Sequence, residues 1–292
     1  MDHRLAELLR LLELERLEVN IFRGESRDIG SPQVYGGQVL GQALQAAYAT
    51  VDGGRVVHSL HAYFLRRGDF NAPIVYFVDR SRDDHSFTSR RVTAIQHGEQ
   101  IFHLSASFQL PEEGFEHQMD MPQVPCPEEL AATLSLGSQA LEDLPPRLRQ
   151  FVYERPIEFR AVPAALAPTL HGAPRQYLWI RTIDKMPEGD QLQRCLLAYA
   201  SDFHLLSTAL LPHEQAAAAG KLSVASIDHA MWFHRPVRLD DWLLYATDSP
   251  SASGARGFTR GSLYTRDGRL VASTAQEGLI RALPRSGEHA LV

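Results

Sequence analysis

The chain has 292 residues, 29 of them basic and 35 acidic, giving a formal charge of −6 with 44% hydrophobic and 22% charged residues. That length accommodates one large globular domain or two of medium size, and the acidic balance excludes a general nucleic-acid binder, which carries a basic footprint. The two cysteines, Cys126 and Cys195, exclude a disulfide framework and point to a reducing compartment, the cytoplasm.

The N-terminus opens on an acidic amphipathic stretch, so no secretory signal is expected. No run reaches the roughly 18 uncharged apolar residues of a membrane span. Residues 4–17 align Leu5, Leu8, Leu9 and Leu12 on one stripe, as in a surface helix with an apolar face. A strand is expected over 18–24, then a turn-rich segment ending in Val34-Tyr-Gly-Gly37. The run 38–51 is rich in Ala and Leu and has no charged residue; a helix of that kind is buried on most sides. Antiparallel strands are expected at 58–65, 74–79, 87–96 and 100–110, with His97-Gly98 as a hairpin turn. From 111 to 150 prolines and acidic residues dominate, reading as a linker or outer wrap with a short helix near 128–142. Strands follow at 156–160 and 177–182, then an apolar helix over 193–211 interrupted by Ser201-Asp202. The chain ends on strands at 222–233, 242–247, 257–265 and 269–281, with Arg266-Asp-Gly268 as a turn.

The second half repeats the first. His61-Ala62 matches His229-Ala230 and Arg67 matches Arg235, both 168 residues apart, while Gly98 matches Gly268 at 170. The two apolar helices align at about 166 through Ala43-Leu44 and Ala209-Leu210. A period this long is a duplicated domain rather than a solenoid. The expected organisation is a first repeat over 1–112, a linker over 113–150 and a second repeat over 151–292. Each half is an α+β unit in which an antiparallel sheet curls around one central helix, burying its apolar face.

Several blocks carry a family resemblance. Tyr35-Gly-Gly-Gln-Val-Leu-Gly-Gln-Ala43, His58-Ser-Leu-His-Ala-Tyr-Phe-Leu65, Ser86-Phe-Thr-Ser-Arg-Arg91 and Ser226-Ile-Asp-His-Ala-Met-Trp-Phe-His-Arg-Pro236 resemble acyl-CoA thioesterase II, as do Ala252–Phe258 and Leu270–Gly278. The resemblance covers about residues 5–283 and is weakest over 111–150. It implies a double hotdog fold and hydrolysis of medium- to long-chain acyl-CoA to fatty acid and CoA, without cofactor or metal. It also implies a homo-oligomer, dimer or tetramer. The family's acid, hydroxyl and amide fall on Asp202, Ser226 and Gln276. Serine stands at 226 where the family pattern has threonine, so the hydroxyl is kept and the methyl that restricts its rotamer is lost.

The residues themselves bear on these roles. Asp202 lies alone in an otherwise uncharged stretch, Cys195 to Thr208; if the second central helix opens there, the carboxylate is an N-cap or first-turn residue stabilised by the helix dipole. Gln276 shares a strand face with Ala272, Thr274 and Ile280, and a buried amide needs a polar partner. The three together can hold a water against a thioester carbonyl, with a backbone N–H near a helix N-terminus receiving the oxyanion. By the repeat offsets Asp202 corresponds to Gly36 or Gly37, Ser226 to His58 and Gln276 to Ala106, so one site per chain is expected. Gly36-Gly37 then permits close approach of a ligand.

No Gly-x-Ser-x-Gly elbow, P-loop or Gly-x-Gly-x-x-Gly fingerprint occurs. His58 and His61, like His229 and His234, have odd spacings on strands and point to opposite faces, which disfavours a metal site. His58 is a candidate sheet-lining base. The pairs Arg66-Arg67 and Arg90-Arg91, with Arg235 and Arg256, are candidates for the CoA phosphates. Two other readings are a hydratase of the same fold, using His58 or His229 with Asp228, and a non-catalytic acyl-CoA binder.

Overall fold

The leucine stripe near the N-terminus folds as α1 (His3–Leu12), with Asp2 accepting a hydrogen bond from Arg4 N as its cap. The computed structural model describes residues 1–29, 31, 33–133, 135–136, 139–144, 146–167, 174–219 and 222–283. The expected strand over 18–24 is a hairpin of two short strands, β1 (Glu15–Glu18) and β2 (Ile21–Gly24). The uncharged run forms α2 (Gly36–Tyr48), buried nearly throughout. Its buried Gln42 is satisfied: Nε2 donates to Leu11 O and Glu25 O, and Oε1 accepts from Tyr76 Oη at 2.7 Å. Four longer strands follow, β3 (Val56–Phe64), β4 (Ile74–Asp83), β5 (Phe87–Gln96) and β6 (Glu99–Gln109). His97 and Gly98 both have positive φ, 51° and 80°, the backbone that the two-residue hairpin turn requires.

The segment after β6 lies along the second half. Trp179 Nε1 donates to Pro125 O at 2.9 Å, and Leu130 packs with Trp179, Trp242 and Tyr264 in a small second core. Among the described residues of 128–142 the expected helix is not found. That stretch holds two 3₁₀ turns, at Pro127–Glu129 and Leu141–Asp143, around the two-residue strands β7 (Ser135–Leu136) and β8 (Gln139–Ala140). The helix, α3 (Pro146–Glu154), starts on Pro146, whose missing N–H costs nothing at a first turn.

The second half supplies β9 (Ile157–Ala161), β10 (Arg175–Thr182), α4 (Asp190–Ser201), α5 (Glu214–Ala218), β11 (Leu222–Ser226), β12 (Asp228–Phe233), β13 (Leu243–Ser253), β14 (Arg256–Thr265) and β15 (Leu270–Ala282). The apolar run over 193–211 is not one helix. It ends at Ser201, and Leu206–His213 is a 3₁₀ segment broken by Pro212. Taken as one span, 190–217 is long and apolar enough to cross a membrane by composition, but 72% of its most apolar window is buried within the protein. It is core.

All the longer strands join one antiparallel sheet in the order β1-β2-β4-β5-β6-β3-β12-β15-β14-β13-β10-β9, with β11 also on β15. The seam between the halves is β3 against β12, paired from Asp228–Tyr63 to Trp232–Ser59. The sheet wraps α2 and α4, which pack on each other. Glycine makes that contact possible: a Cβ on Gly37 would lie 2.2 Å from Tyr199 O, and one on Gly41 3.1 Å from Cys195 O. This is a double hotdog.

The strand repeat holds, since β14 begins 169 residues after β5 (256 − 87). The helix repeat does not hold at 166: α4 begins 154 residues after α2 (190 − 36). Asp202, which follows α4, therefore corresponds to Ala49, which follows α2, and not to Gly36 or Gly37.

Candidate active site

Asp202 sits at the C-terminal end of α4, as its C-cap, not at a helix N-terminus. The dipole of α4 is thus unfavourable to its charge. The compensation comes from the other half. Gly37, in the first turn of α2, donates its backbone N–H to the Asp202 carboxylate, and first-turn N–H groups have no partner inside their own helix. Gly36 is needed there, because a Cβ would stand 2.7 Å from Asp202 Oδ2. The turn beyond Asp202 is tight, with His204 in the left-handed region at φ 62°.

Gln276 points inward from β15 and is fully buried. Its Nε2 donates to Asp202 Oδ1 at 2.9 Å and to Ser226 Oγ at 3.2 Å. Ser226 ends β11, opposite Gly278 of β15, which brings it to the same place. The acid, hydroxyl and amide expected to act together are therefore in contact. Burial pushes the Asp202 carboxyl above its ordinary value, opposed by the hydrogen bonds from Gln276 and Gly37. A carboxylate so raised is a better base than one in water. Ser226 accepts from Gln276, so its own hydrogen is left to donate.

Asp202 and Ser226 line a cavity of about 620 Å³, together with Gly36, Phe64, Arg67 and Leu206. Ile29, Val34, Val39, Ile101 and Phe102 make much of the remaining wall apolar. Gln276 is not on that wall; it joins the carboxylate to the hydroxyl from behind. Tyr35, to which the sequence assigned no role, lines the cavity too. It stacks on Phe203 with ring centroids 4.4 Å apart and donates to Tyr199 O at 3.0 Å. Its one sequence signal is its place just before the Gly-Gly that opens α2.

The remaining candidates are elsewhere. His58 is half-buried, with Nε2 2.8 Å from Ser107 Oγ, and is not on the cavity. Arg90 is 1% exposed: its guanidinium is committed to Thr50 Oγ1 and O, Arg82 O, Ser89 O and the Asp83 carboxylate. It ties β5 to Thr50 and Asp83 and is not on the cavity wall. Arg91 is exposed on β5, Arg235 pairs with Glu116 at 3.3 Å, and Arg256 pairs with Glu277 at 2.8 Å; none of the three lines the cavity. Arg66 and Arg67 do, at its mouth. Arg66 is bound to Gln100 O and Glu99, whereas Arg67 makes no ion pair among the described residues. His229 does not meet Asp228, whose Oδ1 accepts from Glu277 N at 2.6 Å.

A single sheet wrapped on two packed helices, with a buried acid and a hydroxyl on the wall of an apolar cavity, defines a hotdog-fold protein with one candidate catalytic site in this cavity. Two family models match: "Acyl-CoA thioesterase N-terminal domain" over residues 23–109 and "Acyl-CoA thioesterase" over 149–279. Acyl-CoA thioesterase 2 of Haemophilus influenzae is 45% identical over 285 residues, covering 96% of this chain and 99% of that protein. The crystal structure of an acyl-CoA thioesterase II from Mycobacterium marinum superposes with a TM-score of 0.82 at 44% identity, covering 95% of this chain and 99% of that one. A hot dog fold protein of unknown function from Alicyclobacillus acidocaldarius shares the fold at a TM-score of 0.76 and 18% identity, covering 95% and 99%. The chain belongs to the acyl-CoA thioesterase II family. It is a thioester hydrolase acting on acyl-CoA.

Proposed function

We propose that the chain hydrolyses medium- to long-chain acyl-CoA by direct attack of a water held by Asp202 and Ser226, with Gln276 fixing the distance between them. The observation that carries this reading is the Gln276 amide bridging a buried carboxylate and a hydroxyl that both face an apolar cavity. Asp202 takes a proton from the water as it attacks the thioester carbonyl carbon. The Ser226 hydroxyl donates to the water oxygen and orients its lone pair. The negative charge that develops on the carbonyl oxygen is met by the Gly36 N–H at the start of α2, since the Gly37 N–H is given to Asp202 and the Gln38 N–H to Tyr35 O. The C–S bond then breaks. A thiol of pKa about 8.5 can leave as thiolate, so no strong general acid is required. The acyl chain follows the wall made by Val34, Phe64 and Phe102, and the cavity volume lies in the range of about 300–1,000 Å³ common for small-molecule sites.

Arg67 at the mouth is suited to a CoA phosphate, and Arg67→Glu should raise KM while leaving kcat within about twofold, as expected for loss of ground-state binding. The two unpaired thiols, Cys126 exposed and Cys195 buried, support a reducing compartment such as the cytoplasm. The test is thiol release from short, medium and long acyl-CoA, with and without EDTA. Release should increase from short to medium and long chains and be indifferent to the chelator. No release at any length would overturn the reading, and loss in EDTA with recovery on zinc would overturn its metal-free mechanism.

A further inference from the structure

His229, on β12, is 1% exposed and absent from the cavity wall, yet it touches the centre of the site. Its Nε2 lies 2.9 Å from Ser201 Oγ, and its Nδ1 lies 3.4 Å from Gln276 Nε2 and 3.9 Å from Asp202 Oδ1. Counting hydrogens assigns the protons. The Ser201 hydroxyl has one hydrogen and two neighbours at 2.9 Å, Ala198 O, which can only accept, and His229 Nε2, which can donate; both contacts are hydrogen bonds only when the hydroxyl hydrogen goes to Ala198 O. Toward His229 the Ser201 oxygen can then only accept, so Nε2 carries the imidazole proton and Nδ1 is a bare acceptor. The two Gln276 Nε2 hydrogens go to Asp202 Oδ1 and Ser226 Oγ, so Nδ1 at 3.4 Å takes no full hydrogen bond of its own; its lone pair still favours the NH₂ end over the carbonyl oxygen, which it would repel.

The two ends of that amide are not equivalent for the reaction. With NH₂ toward Asp202 and Ser226, Gln276 donates to both. Turned over, its carbonyl oxygen would face the Asp202 carboxylate and the Nδ1 lone pair together, and the bridge would be lost. The carbonyl oxygen as it stands has no hydrogen-bond partner among the described residues, so it does nothing to hold the amide in place. The orientation is set from the NH₂ side.

We propose that His229, locked by Ser201 as the neutral Nε2–H tautomer, is a positioning residue that selects the Gln276 orientation needed to join Asp202 to Ser226. The inference rests on the proposed roles of those three residues. Burial supports it by keeping the imidazole neutral, its pKa pushed down to about 3, so that Nδ1 stays an acceptor.

The decisive measurement is a double-mutant cycle in kcat on the full chain. His229→Leu should lower kcat by about 10- to 100-fold, the cost typical of a misplaced reacting group, with KM little changed. His229→Asn, which keeps an oxygen acceptor near the position of Nδ1, should restore much of the loss. In a Gln276→Ala background, His229→Leu should lower kcat no further, because the amide through which it is proposed to act has been removed. An equal further loss in that background would overturn the inference. If Gln276→Ala alone leaves kcat near normal, the proposed mechanism fails; if it is damaging and His229→Leu is harmless, only the inference fails. Should His229→Leu not fold, imidazole nitrogen NMR of the unmodified chain, assigned with His229→Asn, decides. A protonated Nε2 and bare Nδ1 between about pH 5 and 8 are expected, and the opposite tautomer would overturn the proposal.

Discussion

Asp202→Asn separates the chemical role of the carboxylate from its structural one. The change keeps size and shape and removes the charge. Loss of a positioned general base should lower kcat by about 10²- to 10⁴-fold, which is about 3–5 kcal/mol of barrier, with KM little altered. Stability should respond differently. The Asp202 side chain is 8% exposed and burial raises its pKa, so the folded state disfavours the charge that the reaction needs. Asparagine removes that penalty. Against it, one carboxylate oxygen is replaced by an NH₂ donor, and a donor left facing that NH₂ is mismatched at a cost of about 1–3 kcal/mol. The two effects oppose, and in a chain of this size Tm should move by no more than about 3 °C. The pH dependence has a definite sign. Because the folded-state pKa is raised, the wild-type chain gains stability relative to the variant as pH falls through that pKa and loses it as pH rises. Wild-type kcat/KM falls over the same acid range as the base is protonated. Thiol release with a long acyl-CoA, beside thermal unfolding from about pH 4 to 8, measures all of this. Near-normal kcat in the variant would refute the role of base, and a large drop in its Tm at neutral pH would refute the claim that the charge is held at a cost.

Ser226→Ala should lower kcat at least about tenfold and Ser226→Thr should match or exceed the parent, since the methyl only restricts the rotamer; an alanine variant as active as the parent would deny the hydroxyl a part. Arg90→Met should cost about 2 kcal/mol in unfolding experiments without changing kcat, a figure reduced from buried-pair values because Asp83 is 45% exposed on its side chain; a KM effect alone would return Arg90 to the ligand. Isothermal titration with a non-hydrolysable acyl-CoA analogue should saturate at one ligand per chain, and two would contradict the degeneracy of the first half. Residues 1–115 and 148–292 expressed apart should be insoluble or unfolded, because separation bares β3 and β12 as sheet edges; a soluble, cooperatively folding half would refute this.

The strands and α2 were legible because their patterns are local: alternation, β-branched runs, a His-Gly turn and a run without charges. The end of α4 was not. Apolarity continues past Asp202 through Leu205–Leu211, so periodicity gives no break, and a lone acid in such a run reads as the start of a helix. What reverses the reading is tertiary: the Gly37 N–H from the other half supplies the field that the acid's own helix denies it. The same misreading shifted the helix repeat, because residues 202–221 occupy the interval between α4 and β11 where only 49–55 separate α2 from β3. His229 was visible only as a strand histidine. Its contact with Ser201 depends on where α4 stops, which the pattern did not disclose.

The duplicated architecture shows how the two halves contribute differently to the proposed site. On the strand repeat, Gln276 opposite Thr259 corresponds to Ala106 opposite Arg90. In the first half the amide is gone, and the Arg90 guanidinium fills the interior by bonding Thr50, just beyond the end of α2. Ala49 stands where Asp202 stands in the second half, so no carboxylate needs a facing helix N-terminus there. The N-terminus of α4 is accordingly not offered to a partner acid: its first residue is Asp190, paired to Arg194 on the same helix. The N-terminus of α2 keeps no such residue. It begins Gly-Gly, has no side-chain cap and carries no acid in its first turn, leaving the Gly37 N–H for Asp202 and the Gly36 N–H for the cavity. The two halves thus differ in opposite ways, the first having no acid after its helix and an uncapped helix start, the second having the acid and a first-turn Asp190 paired to Arg194. The carboxylate and the dipole that stabilises it meet only across the α2–α4 contact.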